Sequence, residues 1–185
     1  MELCQTFAHI SHGSAIGIRK DEPKVRAQFP MKARFKRIAA PLADAKDLGK
    51  PFILVARPEL CDPLLRVHDM VVTPFGAHGH LGFIVNRPTG LTLAKIFLEH
   101  LLSRKIADPV YLGGPVQPWL VFALVQHRGG PGGNSFKVMP GLYAAYEAAV
   151  LNGILESEPK RARFIAGHVA WCSGELRAEI DLGAW

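Results

Sequence analysis

From Pro51 onward, glycine and proline cut the chain into short apolar runs: "PFILVAR", "DMVVTPF", "LGFIVN", "VYLGGPVQP", "WLVFALVQ", "FKVM", "LYAAY" and "RFIAGHVA". Short apolar runs bounded by turn residues read as strands. The longest uninterrupted one, "WLVFALV" from Trp119 to Val125, falls far short of the ~18 residues that a membrane-spanning helix needs. With 185 residues, 49% hydrophobic and 21% charged, the chain can fill one ordinary core and is too short for two full ones. The expectation is a single domain with no membrane span.

The net charge of +6 points toward nucleic acid until it is divided along the chain. Residues 1–50 hold ten Lys+Arg against five Asp+Glu, and residues 51–185 hold twelve against eleven, so the body is nearly neutral. The positive charge sits in "KVRAQFPMKARFKR", where Lys32, Arg34, Lys36 and Arg37 form a weak nucleic-acid-binding candidate. Pro23 and Pro30 break this stretch, and residues 1–49 read as a flexible basic extension to a domain over 50–185. Met31 reads well as the natural start of translation. Met31, Phe35, Ile38 and Leu42 lie roughly on one helical face, which leaves open a solvated tail or an amphipathic turn against an anionic surface.

Residues 3–18 are uncharged but too interrupted by Gln5, Thr6, His9, Ser11 and His12 to be a secretory signal. Cys4, Cys61 and Cys172 are an odd number at wide spacing, which fits neither a disulfide framework nor a zinc knuckle. Together these features place the chain in the cytoplasm with reduced thiols. His78 and His80 flank Gly79 in the connection between two strands, with no third ligand nearby, and Asp62, Asp69, Glu175, Glu179 and Asp181 show no spacing that demands a metal. No cofactor is expected.

The most informative stretch is "GFIVNRPTGLTL", Gly82 to Leu93. The strand over Leu81–Val85 ends at "NRPTG", where Pro88 fixes its own φ and keeps Arg87 out of helical geometry. Leu93, Ile96, Phe97 and Leu101 then follow helical spacing, which predicts about three turns capped by Thr89 or Thr92. Such a strand-to-helix corner sets Asn86, Arg87 and Thr89 near a helix N-terminus, an environment that favours a carboxylate or phosphate. The competing reading has Asn86 and Thr89 bonding the turn's own backbone while Arg87 pairs with a surface carboxylate.

Further on, Gly113, Gly114 and Pro115 stop a short strand in a corner that lets two backbones pass closely. Trp119 to Gln126 is expected as a central strand. "HRGGPGGNS" lacks the ending of a phosphate loop and reads as a long, mobile hairpin loop into "FKVM". Pro140-Gly141 turns the chain into "LYAAY", "EAAVLNGILE" reads as a helix, and Ser173 is expected to cap a last helix bearing Leu176 and Ile180.

The catalytic inventory is thin. Glu175 and Glu179, i and i+4 on that last helix, read as a solvated face. No GxSxG elbow is present, and the best nucleophile and base are Cys172 and His168, four residues apart, on one face only if their strand stays regular. A buried structural cysteine is the competing reading.

"GFIVNRPTGLTL", "VYLGGPVQP" with "FALVQH", and "GHVAWCSGELRAEIDLGAW" resemble the signature blocks of the YqgE/AlgH family of bacterial proteins, and "PFILVARPELCDPLLR" resembles its opening. The resemblance runs from about Lys50 to Trp185. It implies one α+β domain, a branched mixed β-sheet curled into a partial barrel with flanking helices, in the bacterial cytoplasm. It implies little biochemistry, and the transcriptional-regulator label of some members has no helix-turn-helix behind it. Members generally run on for a further strand and helix past the position of Trp185; if that strand is absent from the molecule, an unpaired edge and an exposed Trp185 are expected to favour self-association.

Three functions from different classes follow. The first is a non-enzymatic regulatory or binding protein in which Asn86, Arg87 and Thr89, joined by Gly113, Gly114 and Trp171, receive a small anion or a protein segment. The second is a regulator bound non-specifically to DNA through the basic tail, and the third an enzyme of unrecognised type.

Overall fold

The computed structural model of the protein describes residues 48–56, 68–76, 79–97, 101–157 and 159–185. The basic candidates Lys32, Arg34, Lys36 and Arg37, the Met31 start, Cys4, Cys61, Asp62 and His78 lie outside the described residues. In chain order the strands are β1 (Phe52–Val55), β2 (Asp69–Phe75), β3 (Gly79–Ile84), β4 (Pro88–Thr92), β5 (Pro109–Leu112), β6 (Val116–Gln126), β7 (Ser135–Met139), β8 (Leu142–Ala145) and β9 (Ala162–Trp171). The helices are α1 (Leu93–Ile96), α2 (Ala148–Ser157) and α3 (Glu175–Asp181). Among the described residues no helix is long and apolar enough to cross a membrane.

Strand β9 organises the sheet. The order is β1-β2-β3-β9-β6-β8-β7, and a branch adds β5, parallel to β9, with β4 antiparallel to β5. Along one edge β9 pairs first with β5, at Ile165 and Ala166, and then with β3, at Val169 to Trp171; β6 runs along its other edge. The "WLVFALVQ" run is therefore central, as its apolar character predicts. The sheet curls until Phe75 on β2 meets Phe136 on β7 edge to face, 5.5 Å between ring centroids. Its concave side is filled by Val71, Leu81, Phe83, Phe122, Leu124 and Ile165. Phe83 and Phe122 meet there at 5.1 Å, and truncating either to alanine should cost about 3–5 kcal/mol.

On the convex side, α1 and α2 cover one half of the sheet with Leu93, Leu151 and Ile154, and α3 covers the other with Leu176 and Ile180. Strand β9 serves both halves because Gly167, at φ +73°, inserts a bulge that reverses the alternation of its side chains. Before the bulge Phe164 faces α2 and Ile165 the concave side; after it His168 lies beside Phe83 and Phe122, while Val169 and Trp171 pack under α3.

The same bulge accommodates a chain crossing. The β5–β6 connection passes from one edge of β9 to the other at Gly113 and Gly114, directly over Gly167 and His168. A Cβ at Gly113 would collide with the Gly167 carbonyl, one at Gly114 with the His168 backbone, and one at Gly167 would sit 3.1 Å from the Pro118 Cα. This is the close backbone approach that the Gly-Gly-Pro corner predicts.

Several expectations are corrected. "PTGLT" forms β4, so the corner at Asn86 joins strand to strand, and the helix expected over three turns begins at Leu93 and has four residues. Leu93 and Phe97 are buried, but Leu101 is 71% exposed in a separate 3₁₀ turn, Leu101–Lys105. Pairing with β5 holds Pro88–Thr92 extended, and Phe97, whose φ and ψ are −110° and 72°, ends the helix. Thr92 occupies the N-cap position without a side-chain bond, and Gly174, not Ser173, is the N-cap of α3. Loop 127–134 does not close a hairpin, because β8 lies between β6 and β7. Trp185 is 3% exposed, not at the surface.

Candidate functional site

Residues 85–87 sit where three strands end. The Val85 N–H donates to the Asp69 carbonyl at 3.0 Å, and the Arg87 carbonyl accepts from Leu112 N–H at 2.9 Å. Asn86 Oδ1 accepts from the Asp69 N–H at 3.0 Å, which turns the amide NH2 away from that bond and toward solvent, where Asn86 is exposed. Thr89 is engaged twice within the bulged β4–β5 pair: its hydroxyl donates to the Val110 carbonyl at 2.6 Å and accepts from Leu91 N–H at 3.2 Å. It acts as a substitute rung in the ladder, the backbone-bonding role weighed for it above.

Gly113 and Gly114 lie beside this corner but are buried, with Gly113 N–H donating to Ala166 at 2.8 Å and its carbonyl accepting from Ile84 at 3.0 Å. Trp171 is not brought to the corner. It stands opposite His80 at the far end of β3 and β9, 6% exposed, and its indole N–H donates to Glu179 Oε2 at 3.0 Å. The same oxygen accepts the Trp185 indole N–H at 2.9 Å, and the two indoles meet edge to face at 6.3 Å. Glu179 is thus a half-buried anchor for two tryptophans and not part of a solvated face, while the exposed Glu175 accepts the Cys172 N–H at 2.7 Å.

The structure adds two residues to the corner. Arg163, the first charged residue of β9, donates from Nη1 to the Val85 carbonyl at 2.6 Å and lays its guanidinium over the Tyr111 ring, 4.4 Å from the centroid. In sequence Arg163 reads as an ordinary charge opening an apolar strand. Its partners lie on other strands, and only its place at the mouth of a buried run hinted at a stem laid along the sheet.

Cys172 and His168 do not form a nucleophile and base pair. His168 is 1% exposed between Phe83 and Phe122, and burial pushes its pKa down to about 4. Cys172 lies beyond the end of β9, and four extended residues separate the two by roughly 13 Å. His80 bonds the Leu48 carbonyl through Nε2 at 2.9 Å, and the described residues contain no cluster of three metal-ligating side chains. A cleft of about 410 Å³ between α2 and loop 127–134 is lined by Glu147, Val150 and Ile154 and by no Lys or Arg, which makes it unsuited to an anion.

This architecture has relatives. The solved structure of the AlgH protein from Pseudomonas aeruginosa superposes with a TM-score of 0.61 at 25% identity, covering 79% of each chain. Protein DIP2367 from Corynebacterium diphtheriae shares the fold, with a TM-score of 0.59 at 21% identity over 72% of this chain and 71% of its own. In sequence, the UPF0301 protein of Myxococcus xanthus is 30% identical over 138 residues, 73% of this chain and 75% of that protein. The UPF0301 protein of Chromobacterium violaceum is 32% identical over 140 residues, 71% and 73% of the two chains. The family model DUF179, described as AlgH-like, matches residues 53–185, and the chain belongs to this AlgH-like family of bacterial proteins.

Proposed function

We propose that the protein is a non-enzymatic, regulatory binding protein of the bacterial cytoplasm, and that its corner at Asn86, Arg87 and Arg163 receives a small anion or an anionic protein segment. The observation that carries this reading is the fixed guanidinium of Arg163, bonded to the carbonyl that immediately precedes Asn86 and Arg87. Two arginines and an exposed carboxamide are gathered at one strand end, and a guanidinium already held in place loses little further freedom when it binds. Arg163 takes the part for which the sequence suggested Thr89. Asp69 opposes the site: its backbone is bonded to Asn86, so its carboxylate starts from the same corner.

The test is thermal unfolding with inorganic phosphate, pyrophosphate and citrate. An anion at about a hundred times its Kd should stabilise by roughly 2.7 kcal/mol. The shift should disappear in Arg87→Ala and Arg163→Ala and grow in Asp69→Asn. No shift with any anion, or one unchanged in both arginine variants, would count against the corner. A shift with duplex DNA alone, steeply salt-dependent and lost on removing residues 1–47, would favour the tail carrying Lys32, Arg34, Lys36 and Arg37.

A further inference from the structure

We infer that the ligand of this corner carries a planar π-ring beside its anionic group, and that Arg163 on Tyr111 is the platform for that ring. The inference rests on the anion-binding reading and specifies its ligand. The Arg163 guanidinium is a flat plate whose central carbon stands over the Tyr111 ring, 4.4 Å from its centroid, with Nη1 tied to the Val85 carbonyl at 2.6 Å. Arg163 is nevertheless exposed, so the side chain remains open to solvent while it is held. A guanidinium held flat stacks on aromatic rings and nucleobases, which a flexible ammonium does not do.

Asn86 and Arg87 directly follow Val85, whose carbonyl holds Arg163, so both are sequence neighbours of the plate's anchor. The ring would lie on Arg163 while the phosphate takes N–H bonds from Asn86 and Arg87, as charge-assisted bonds favour. The shared chemistry is a π-ring bearing a phosphate or carboxylate, and the probes separate its two sources.

The experiment is calorimetric titration of the full chain with inorganic phosphate, phenyl phosphate and adenosine 5′-monophosphate. Phenyl phosphate should bind about tenfold tighter than phosphate, the magnitude of one stacking contact. Arg163→Lys keeps the charge and loses the plate, so it should bring that ratio to about one. Arg87→Ala should weaken all three probes. A nucleoside monophosphate that exceeds phenyl phosphate supports a nucleotide source, and equality supports an aryl source. A ratio of one in the unmodified protein, or a ratio that survives Arg163→Lys, overturns the inference and leaves the anion reading standing. Absence of binding by all three probes overturns both.

Discussion

Arg163 and Gly167 stand four residues apart on β9, yet the strand treats them in opposite ways. At Gly167 and His168 another backbone passes in van der Waals contact, and no side chain can be added to the three glycines that meet there. At Arg163 the strand reaches solvent, and a charged side chain is held in place by a carbonyl and a ring. The first stretch determines whether the chain folds, and the second what the folded chain can touch. A single strand supplies both because the sheet branches around its middle and ends at its mouth.

The sharpest way to break this contrast is at the crossing. Gly114→Val should destabilise by on the order of 4 kcal/mol, since its first methyl group meets backbone that cannot move aside. Gly90→Ala, with no atom within 4 Å of the added carbon, should change stability by less than about 0.5 kcal/mol. Denaturation midpoints for the pair would show whether the glycines at the crossing are special or merely glycines.

Next in size is acid. His168 is held neutral with a pKa lowered from 6.5 to about 4, so the unfolded chain binds the proton first as pH falls. Stability from this group is complete above about pH 6.5 and declines as pH falls toward 4, approaching a loss of roughly 3 kcal/mol. Urea midpoints of the protein and of His168→Phe should diverge across that window, and parallel curves would refute the burial argument. Smaller again is Gln117, a non-glycine residue at φ 47° whose buried Oε1 has no partner among the described residues, in the bulge of β6 that faces Gly167. Gln117→Gly should gain about 1 kcal/mol in the same assay. Smallest is Arg87→Ala at the mouth, expected to alter stability by less than about 0.5 kcal/mol while abolishing the anion-dependent shift.

Much of this frame was legible in the sequence, and the reasons for the remainder are local. The runs around Val71, Phe83, Phe122 and Ile165 announced strands because each is apolar and ends at Gly, Pro or a charge. The glycines at 113 and 114 announced a close passage, although not which strand lay beneath. "PTGLT" was missed as a strand because proline and glycine interrupt its alternation, while Leu93, Ile96, Phe97 and Leu101 mimicked a longer helix. The place of β8 between β6 and β7 depends on long-range pairing that no local pattern encodes. An exposed Trp185 followed from family members running on for a further strand and helix, and the partner that draws its indole inward, Glu179, read as half of an ordinary i, i+4 pair of acids. At the corner, Asn86 and Arg87 were visible as polar residues ending a strand. Arg163 was not, because its meaning depends on Tyr111, 52 positions earlier.

The position of β9 has a consequence for synthesis. It is the last strand of the described chain, and β3, β5 and β6 all pair with it. While the chain emerges from the ribosome, each of these three has an unfilled edge until residues 162–171 arrive. The Gly113–Gly114 bridge likewise has nothing beneath it until then. Closure of the sheet is therefore deferred until β9 has emerged and enters between partners made much earlier, and until then the nascent chain carries open sheet edges.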